Sequence, residues 1–162
     1  MAFDAFLKLD GIPGESTDAK HKDEIEVESW SWGATQLGTT GTGSGGGAGK
    51  VSIQDFNFVA RTSRASPVLF LKCASGEHIP SAVLTARSSG KSQEDFLTLT
   101  MTDVLVSSYQ IAGSEAADTV PMDQVSLNFT KIKFEYKVQT ASGALDPNPA
   151  TAGWDLKTNT KL

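Results

Sequence analysis

The segment E24-I-E-V-E-S-W-S-W32 decides the fold class of this chain, because apolar and polar side chains alternate along it. A period of two is typical of a β-strand with one buried face. Phe3, Ala5, Leu7 and Leu9 alternate in the same way. Further strands are predicted at about 23–35, 51–61, 82–88, 95–112 and 123–139, separated by turn-forming residues. The pattern therefore predicts a mainly β, antiparallel fold.

One segment lacks this alternation and predicts a short helix at about 66–75. Ser66 is a candidate N-cap, Pro67 suits the first helical turn, and Gly76 stands where a left-handed C-terminal cap is favoured. The residues between them form a nearly continuous apolar run.

Several predicted strands change the parity of their apolar positions. In the opening segment, Ile25 and Val27 are followed by Trp30 and Trp32. Side-chain direction has a strict period of two, so either a bulge resets the buried face or opposite faces are buried at the two ends of one strand. The second alternative requires a covering partner, and self-association follows as a hypothesis.

The segment from Gly38 to Lys50, G-T-T-G-T-G-S-G-G-G-A-G-K, resembles a nucleotide-binding loop in composition. A P-loop ending at Lys50 requires glycine where Ser44 stands and a hydroxyl where Val51 stands. The dinucleotide pattern matches at Gly41, Gly43 and Gly46, but it must open a helix, and here a β-rich segment follows. Phosphate binding is therefore not predicted.

The same glycine-rich segment needs another explanation. Residues 37–49 contain seven glycines, and Leu37 is their only bulky side chain. The simplest interpretation is a flexible hairpin loop. The alternative is close backbone packing against another subunit, through residues that include Leu37, Gly38, Gly41, Gly43, Gly45, Gly46, Gly47, Gly49 and Lys50.

Length and composition limit the remaining possibilities. The 162 residues suit one domain with a single core, expected to span 1–162. Cys73 is the only cysteine, so no internal disulfide is possible. A net charge of −5 without a basic cluster disfavours nucleic-acid binding. We expect cytoplasmic synthesis, because the N-terminus lacks a signal peptide and no apolar segment is long enough to span a bilayer.

Candidates for catalysis and metal binding are few, and no cofactor or metal is predicted. Cys73 and His78, five residues apart, are a candidate nucleophile–base pair, but a cysteine in the last turn of an apolar helix favours a buried structural thiol. His78 is expected to bond locally within a turn. His21 and His78 are too few for a zinc site without carboxylate ligands. No enzymatic activity is therefore predicted.

The tryptophans are candidates for core or interface packing. Trp30 and Trp32 share a strand face, and Trp154 lies near the C-terminus. Stacking on a sugar is the functional alternative. A monomeric β-barrel module that binds carbohydrate or another ligand is accordingly the second hypothesis for function.

Several stretches together resemble the haemolysin-coregulated protein (Hcp) family, the tube subunit of the bacterial type VI secretion system. They are G11-I-P-G-E-S16, H21-K-D-E-I-E-V-E-S-W-S-W-G33, A48-G-K-V-S-I-Q-D-F56, S66-P-V-L-F-L-K-C-A-S-G-E-H-I-P80, V104-L-V-S-S108, V125-S-L-N-F-T-K-I-K-F-E-Y136 and G153-W-D155. They follow one another in order along almost the whole chain.

This resemblance implies an antiparallel two-sheet β-barrel with one flanking helix and a long glycine-rich loop. It also implies hexameric rings that stack into a tube, are driven by a contractile sheath behind a spike protein, and carry small effectors. The loop at 34–50 would then reach the adjacent subunit. No C-terminal toxin extension is expected, because Leu162 follows closely after Trp154. Such a protein is exported to the medium or a target cell.

The resemblance also suggests a residue for cargo contact. Ser29 and Ser31 alternate with the tryptophans and are expected to point away from them. Small hydroxyl groups suit a lumen that holds varied cargo weakly, and Ser31 is the candidate contact residue.

Overall fold

The strands of this chain form an antiparallel barrel. The computed structural model describes residues 3–38, 48–89, 93–115 and 120–162, without the side chains of Leu37 and Ala48. Its elements are β1 (Phe3–Leu9), β2 (Ile25–Ser31), β3 (Ala34–Gly38), β4 (Ala48–Ile53), β5 (Phe56–Arg61), α1 (Ser66–Ser75), β6 (Ile79–Ser88), β7 (Asp95–Ala112), β8 (Met122–Tyr136), β9 (Ala150–Asp155) and β10 (Thr160–Lys161).

Six strands close the barrel in the order β8-β5-β2-β1-β6-β7, and the pairing of β7 with β8 completes the circle. The second half of β8 also pairs with β9, which extends to β10, while β3 and β4 form a separate two-stranded sheet. The predicted mainly β barrel with one helix is confirmed.

Alternating side chains fill the interior of the barrel. Phe56 and Phe58 on β5 are almost fully buried, and their rings lie 6.1 Å apart. The other large side chains with less than 2% exposure are Leu7, Leu69, Ile79, Leu84, Leu99, Met101, Leu127, Val104 and Val125. These fully buried side chains come from strands around the barrel and, through Leu69, from the helix.

The helix has the predicted bounds but not the predicted N-cap. Ala65 occupies the N-cap position, and no side chain caps the helix there. Ser66 is instead the first helical residue; its Oγ accepts a hydrogen bond from the Ser63 N–H and donates one to Asp123. Gly76 ends the helix as predicted, with φ of 70° and its N–H donating to the Lys72 carbonyl.

Two predicted strands are each divided in the structure. The segment at 23–35 contains β2 and β3, and the segment at 51–61 contains β4 and β5. The breaks face one another, and the Gln54 N–H donates to the Gly33 carbonyl at 2.9 Å. One long hairpin therefore bends at this point, so that β3 and β4 leave the barrel. The predicted strand 82–88 also begins earlier, at Ile79.

The parity change in β2 is resolved within the chain. The register between β2 and β5 shifts between Val27 and Ser29, which marks a bulge at Glu28. In β7, Asp103 has φ of 54° between the buried Met101 and Val104. The bulge alternative is therefore correct for β2. The change in β2 does not by itself require a covering partner.

The segment before β2 is held against the barrel by a buried arginine. Arg87 on β6 is 4% exposed, and its guanidinium donates two hydrogen bonds to the Asp18 carboxylate. The same guanidinium lies 4.8 Å from the centre of the Phe6 ring. This ion pair lowers the pKa of Asp18 from its usual 3.8 to about 2.

The Asp18 ion pair predicts a specific acid sensitivity. Because the folded pKa lies below the unfolded one, the stabilisation is present above about pH 4 and is lost as the pH falls through about 2. Urea unfolding between pH 2 and 5 should show that Asp18→Asn has a weaker pH dependence than the natural chain. Parallel curves for the two proteins would contradict the assignment.

Candidate functional site

An open apolar groove separates the β3–β4 hairpin from strands β8 and β9. Its volume is about 560 Å³. It is lined by Trp32, Ala34, Gln36, Gly49, Val51, Ile53, Ile132, Phe134, Ala152, Gly153, Trp154 and Asn159. The bend at Gly33 creates the groove, because it turns the hairpin away from the barrel while leaving apolar side chains on both walls.

Two of the predicted tryptophans meet in this groove. Trp32 lies at its hairpin end, 6.1 Å from the ring of Phe134, and Trp154 lies on β9. The indole N–H of each is buried and has no hydrogen-bond partner among the described residues. An unpaired buried donor is unfavourable by about 1–3 kcal/mol. Both N–H groups are thus unpaired donors within the walls of the groove and are not exposed at its surface.

Trp30 has a different environment from the other two tryptophans. Its ring stacks on Phe56 at 6.2 Å with an interplanar angle of 21°. Trp30 thus packs against the core beside the β2 bulge, and it does not share the groove with Trp32.

A second surface feature is an uncharged polar face across four barrel strands. Strand register places Ser31 opposite Asn57, Asn57 opposite Ser126, and Ser126 opposite Ser108. A neighbouring row runs through Ser29, Val59, Gln124 and Gln110. The residues lining this shallow depression of about 520 Å³ include no charged side chain.

Hydrogen bonds between strands fix this polar face. The Ser126 hydroxyl donates to Asn57 Oδ1. Beside the row, Asp55 accepts hydrogen bonds from the Ser107 hydroxyl at 2.6 Å and from Asn128 Nδ2 at 2.9 Å. Ser29 and Ser31 are both exposed. The sequence argument found these two serines but missed Asn57, Ser108 and Ser126, which the register brings beside them.

The predicted inter-subunit loop is described only at its ends. Gly38 belongs to β3, Gly49 and Lys50 belong to β4, and the backbone of Leu37 lies in β3. Gly41, Gly43, Gly45, Gly46 and Gly47 lie outside the described residues. The segment that follows them is strand β4, so the helix N-terminus needed for a dinucleotide phosphate site is not formed there.

The histidines and the cysteine that were considered for catalysis or metal binding contact different residues. His78 Nδ1 lies 2.6 Å from Asp103 Oδ1, so the prediction of a local turn contact is wrong. Cys73 is partly buried in α1 against the core. His21 is buried, and its two ring nitrogens face Glu24 and Asp95 at 2.9 and 3.1 Å. Within the described ranges, no three potential ligands converge as a metal site.

Comparison with known proteins shows to which family the chain belongs. The sequence profile described as "Type VI secretion system effector, Hcp" matches residues 6–136. The chain is 45% identical over 160 residues to Protein hcp1 of Pseudomonas aeruginosa, covering 98% of each sequence. The chain belongs to the Hcp family of type VI secretion proteins.

Solved structures of Hcp proteins share the barrel. Hcp1 from Salmonella typhimurium has a TM-score of 0.84 and 42% identity, with both chains fully covered. A structure described as a type six secretion system protein has a TM-score of 0.94 and 31% identity, covering 99% of this chain and 100% of the other. In the part of the Hcp chain described above, no helix has the length and hydrophobicity needed to cross a membrane.

Proposed function

We propose that this Hcp chain is a structural tube subunit that forms stacked hexameric rings and is exported with small effectors in the lumen. The observation that carries the proposal is its 45% identity to an Hcp protein over 98% of both sequences. The direct partners are other copies of the chain, the sheath, the tip spike and the effectors. Residues 1–162 act as one non-catalytic domain that is made in the cytoplasm.

The two surfaces take separate roles in this proposal. The uncharged polar face lines the lumen, where hydroxyl and amide groups offer hydrogen bonds without selecting cargo by charge. The hairpin and the glycine-rich segment between its strands reach the adjacent subunit. A heterologous interface of this kind closes into a ring when the rotation between neighbours permits it.

The carbohydrate-binding alternative is less well supported by the geometry. Sugar recognition combines aromatic stacking with several polar groups. Trp30 is stacked on Phe56 and is not presented to a ligand beside Trp32. Apart from the two indoles, the polar side chains lining the groove are Gln36 and Asn159. An apolar protein surface fits these walls better than a sugar does.

The lumen assignment predicts a specific effect at Ser31. Ser31→Gln inserts a larger amide into the row formed with Asn57 and Ser126. We expect rings of normal mass with at least a several-fold loss of co-purified effector, because the added side chain obstructs the face. Mass spectrometry of effectors retained by purified rings measures this change.

The matched control is Ser89→Gln, an exposed residue just after β6 and outside the polar face. It should retain effectors at the natural level. If Ser31→Gln leaves both ring mass and effector retention unchanged, Ser31 is not a cargo contact.

A further inference from the structure

One border of the uncharged polar face carries a charge. Asp55 directly precedes β5, and the register of β5 with β8, continued by one residue, places it opposite Asn128. Its carboxylate bonds to Asn128 and to Ser107 of β7, so it lies on the same side of the sheet as Asn57. Two residues of strand span about 7 Å. Asp55 is therefore one row away from the row that contains Ser31.

Two neutral donors orient this carboxylate. The Ser107 hydroxyl donates to Oδ2 at 2.6 Å, and the Asn128 amide donates to Oδ1 at 2.9 Å. A carboxylate has about four acceptor positions, so these bonds leave room for further donors. Asp55 is only partly buried, so a molecule that rests on the polar face has access to it. The ion pairs between described residues do not include Asp55.

Two cations near the face have other partners. At the far border, where β5 ends, Arg61 Nε lies 3.3 Å from Glu28 Oε1. Lys131, the first lysine of β8 after the polar rows, lies 3.9 Å from Asp155. These pairs cancel charge locally, whereas no described residue neutralises Asp55. The complementary group for this border is therefore a cation.

Ring closure multiplies this charge. In a closed ring, symmetry places every copy of Asp55 at the same level, so the lumen carries one such carboxylate per subunit. Like charges that line an enclosed space strengthen the attraction of an oppositely charged ligand. The hydroxyls and amides of the polar face bond to groups of any charge, whereas these carboxylates favour cations and repel anions.

We propose that Asp55 gives the lumen a preference for effectors with a basic surface, because its carboxylate forms an ion pair with a lysine or arginine of the cargo. Ser31 and its row supply neutral hydrogen bonds beside this contact. The inference rests on the proposed lumen role of the polar face. It identifies the charge class of the cargo and the residue that selects it.

Binding of a defined cationic peptide to purified rings tests this preference. The probe is a short peptide of alternating serine and lysine with a rhodamine label. The comparison is the same peptide with every lysine acetylated, which removes the positive charges. Fluorescence anisotropy measures both affinities at low salt, where screening is weak. Natural rings should bind the lysine peptide at least several-fold more tightly than the acetylated peptide, and added salt should reduce the difference.

Asp55→Asn is the diagnostic variant. The asparagine keeps an acceptor for Asn128 and donates to the Ser107 hydroxyl, so the hydrogen bonds persist while the charge is removed. We expect rings of normal mass whose affinity for the lysine peptide is several-fold lower than that of natural rings.

The matched control is Asp146→Asn, which removes the same charge. Asp146 is also partly buried, but it lies in the segment between β8 and β9, outside the polar face. Rings of this variant should bind the lysine peptide as tightly as natural rings do. Equal weakening by Asp55→Asn and Asp146→Asn would show a general effect of net charge and overturn the proposal.

The remaining results separate charge selection from ring formation. Natural rings of normal mass that bind neither peptide, or both equally well, would overturn the role of Asp55 and leave ring formation standing. Unchanged affinity of Asp55→Asn rings for the lysine peptide would do the same. A natural chain that stays monomeric would overturn both.

Discussion

Replacing Phe56 with alanine is expected to lower the free energy of unfolding by about 3–5 kcal/mol. The side chain is fully buried on β5, and its ring lies 6.2 Å from that of Trp30 and 6.1 Å from that of Phe58. Its removal leaves a cavity where three aromatic rings meet, beside the β2 bulge. Urea unfolding at fixed protein concentration measures the effect, since assembly makes stability depend on concentration.

Phe3→Ala provides the comparison for this substitution. Phe3 is also an aromatic residue on a barrel strand, but it is 51% exposed. Its replacement should be destabilising by less than about 1 kcal/mol, because most of the ring is already hydrated. An equal decrease in the free energy of unfolding in the two variants would contradict the assignment of Phe56 to the centre of the core.

Replacing Asp123 with alanine is expected to destabilise the fold by about 2–4 kcal/mol. The carboxylate is 2% exposed and accepts hydrogen bonds from the hydroxyls of Thr62, Ser66 and Tyr109. It joins the start of α1 to β7 and β8. Without it, three hydroxyl groups lose an acceptor in a site with little access to water.

Asp55→Ala is the matched control for Asp123→Ala. Asp55 also accepts side-chain hydrogen bonds from two residues, but it is only partly buried, so water can replace its partners. We expect a loss of less than about 1 kcal/mol for this variant. The argument for Asp123 fails if its replacement is no more destabilising than that of Asp55.

Tyr109 gives a second measurement of the same site. Burial, followed by the hydrogen bond to Asp123, raises the pKa of the Tyr109 hydroxyl. The associated stabilisation is present below the ordinary pKa of 10 and is lost as the pH rises above it. Spectrophotometric titration should show this tyrosine ionising at lower pH in Asp123→Asn than in the natural chain.

The sequence predicted the elements that depend on local patterns. The strand at 95–112 and the helix at 66–75 have the predicted bounds, because alternation and the Pro67 and Gly76 signals act over a few residues. The break at Gly33 was missed, since apolar residues continue on both sides of it. Strand β9 was also missed, because Ala150–Asp155 offers little alternation until it pairs with β8.

The candidate surfaces were harder to predict than the strands and the helix, because tertiary structure brings their residues together. Alternation alone predicted that the side chains of Ser31 and Trp30 point to different faces of the strand. The companions of Ser31 come from three other strands, and only the register aligns Asn57, Ser126 and Ser108 with it. Similarly, Trp32 and Trp154 are distant in sequence and meet because β9 pairs with the second half of β8.

The most direct test of the ring-forming function is the mass of the assembled protein. Light scattering during size-exclusion chromatography, with negative-stain images of the same peak, should give six times the subunit mass of 17.1 kDa and annular particles. A stable monomer across a wide range of protein concentration would contradict the proposal that this chain forms the rings of a secretion tube.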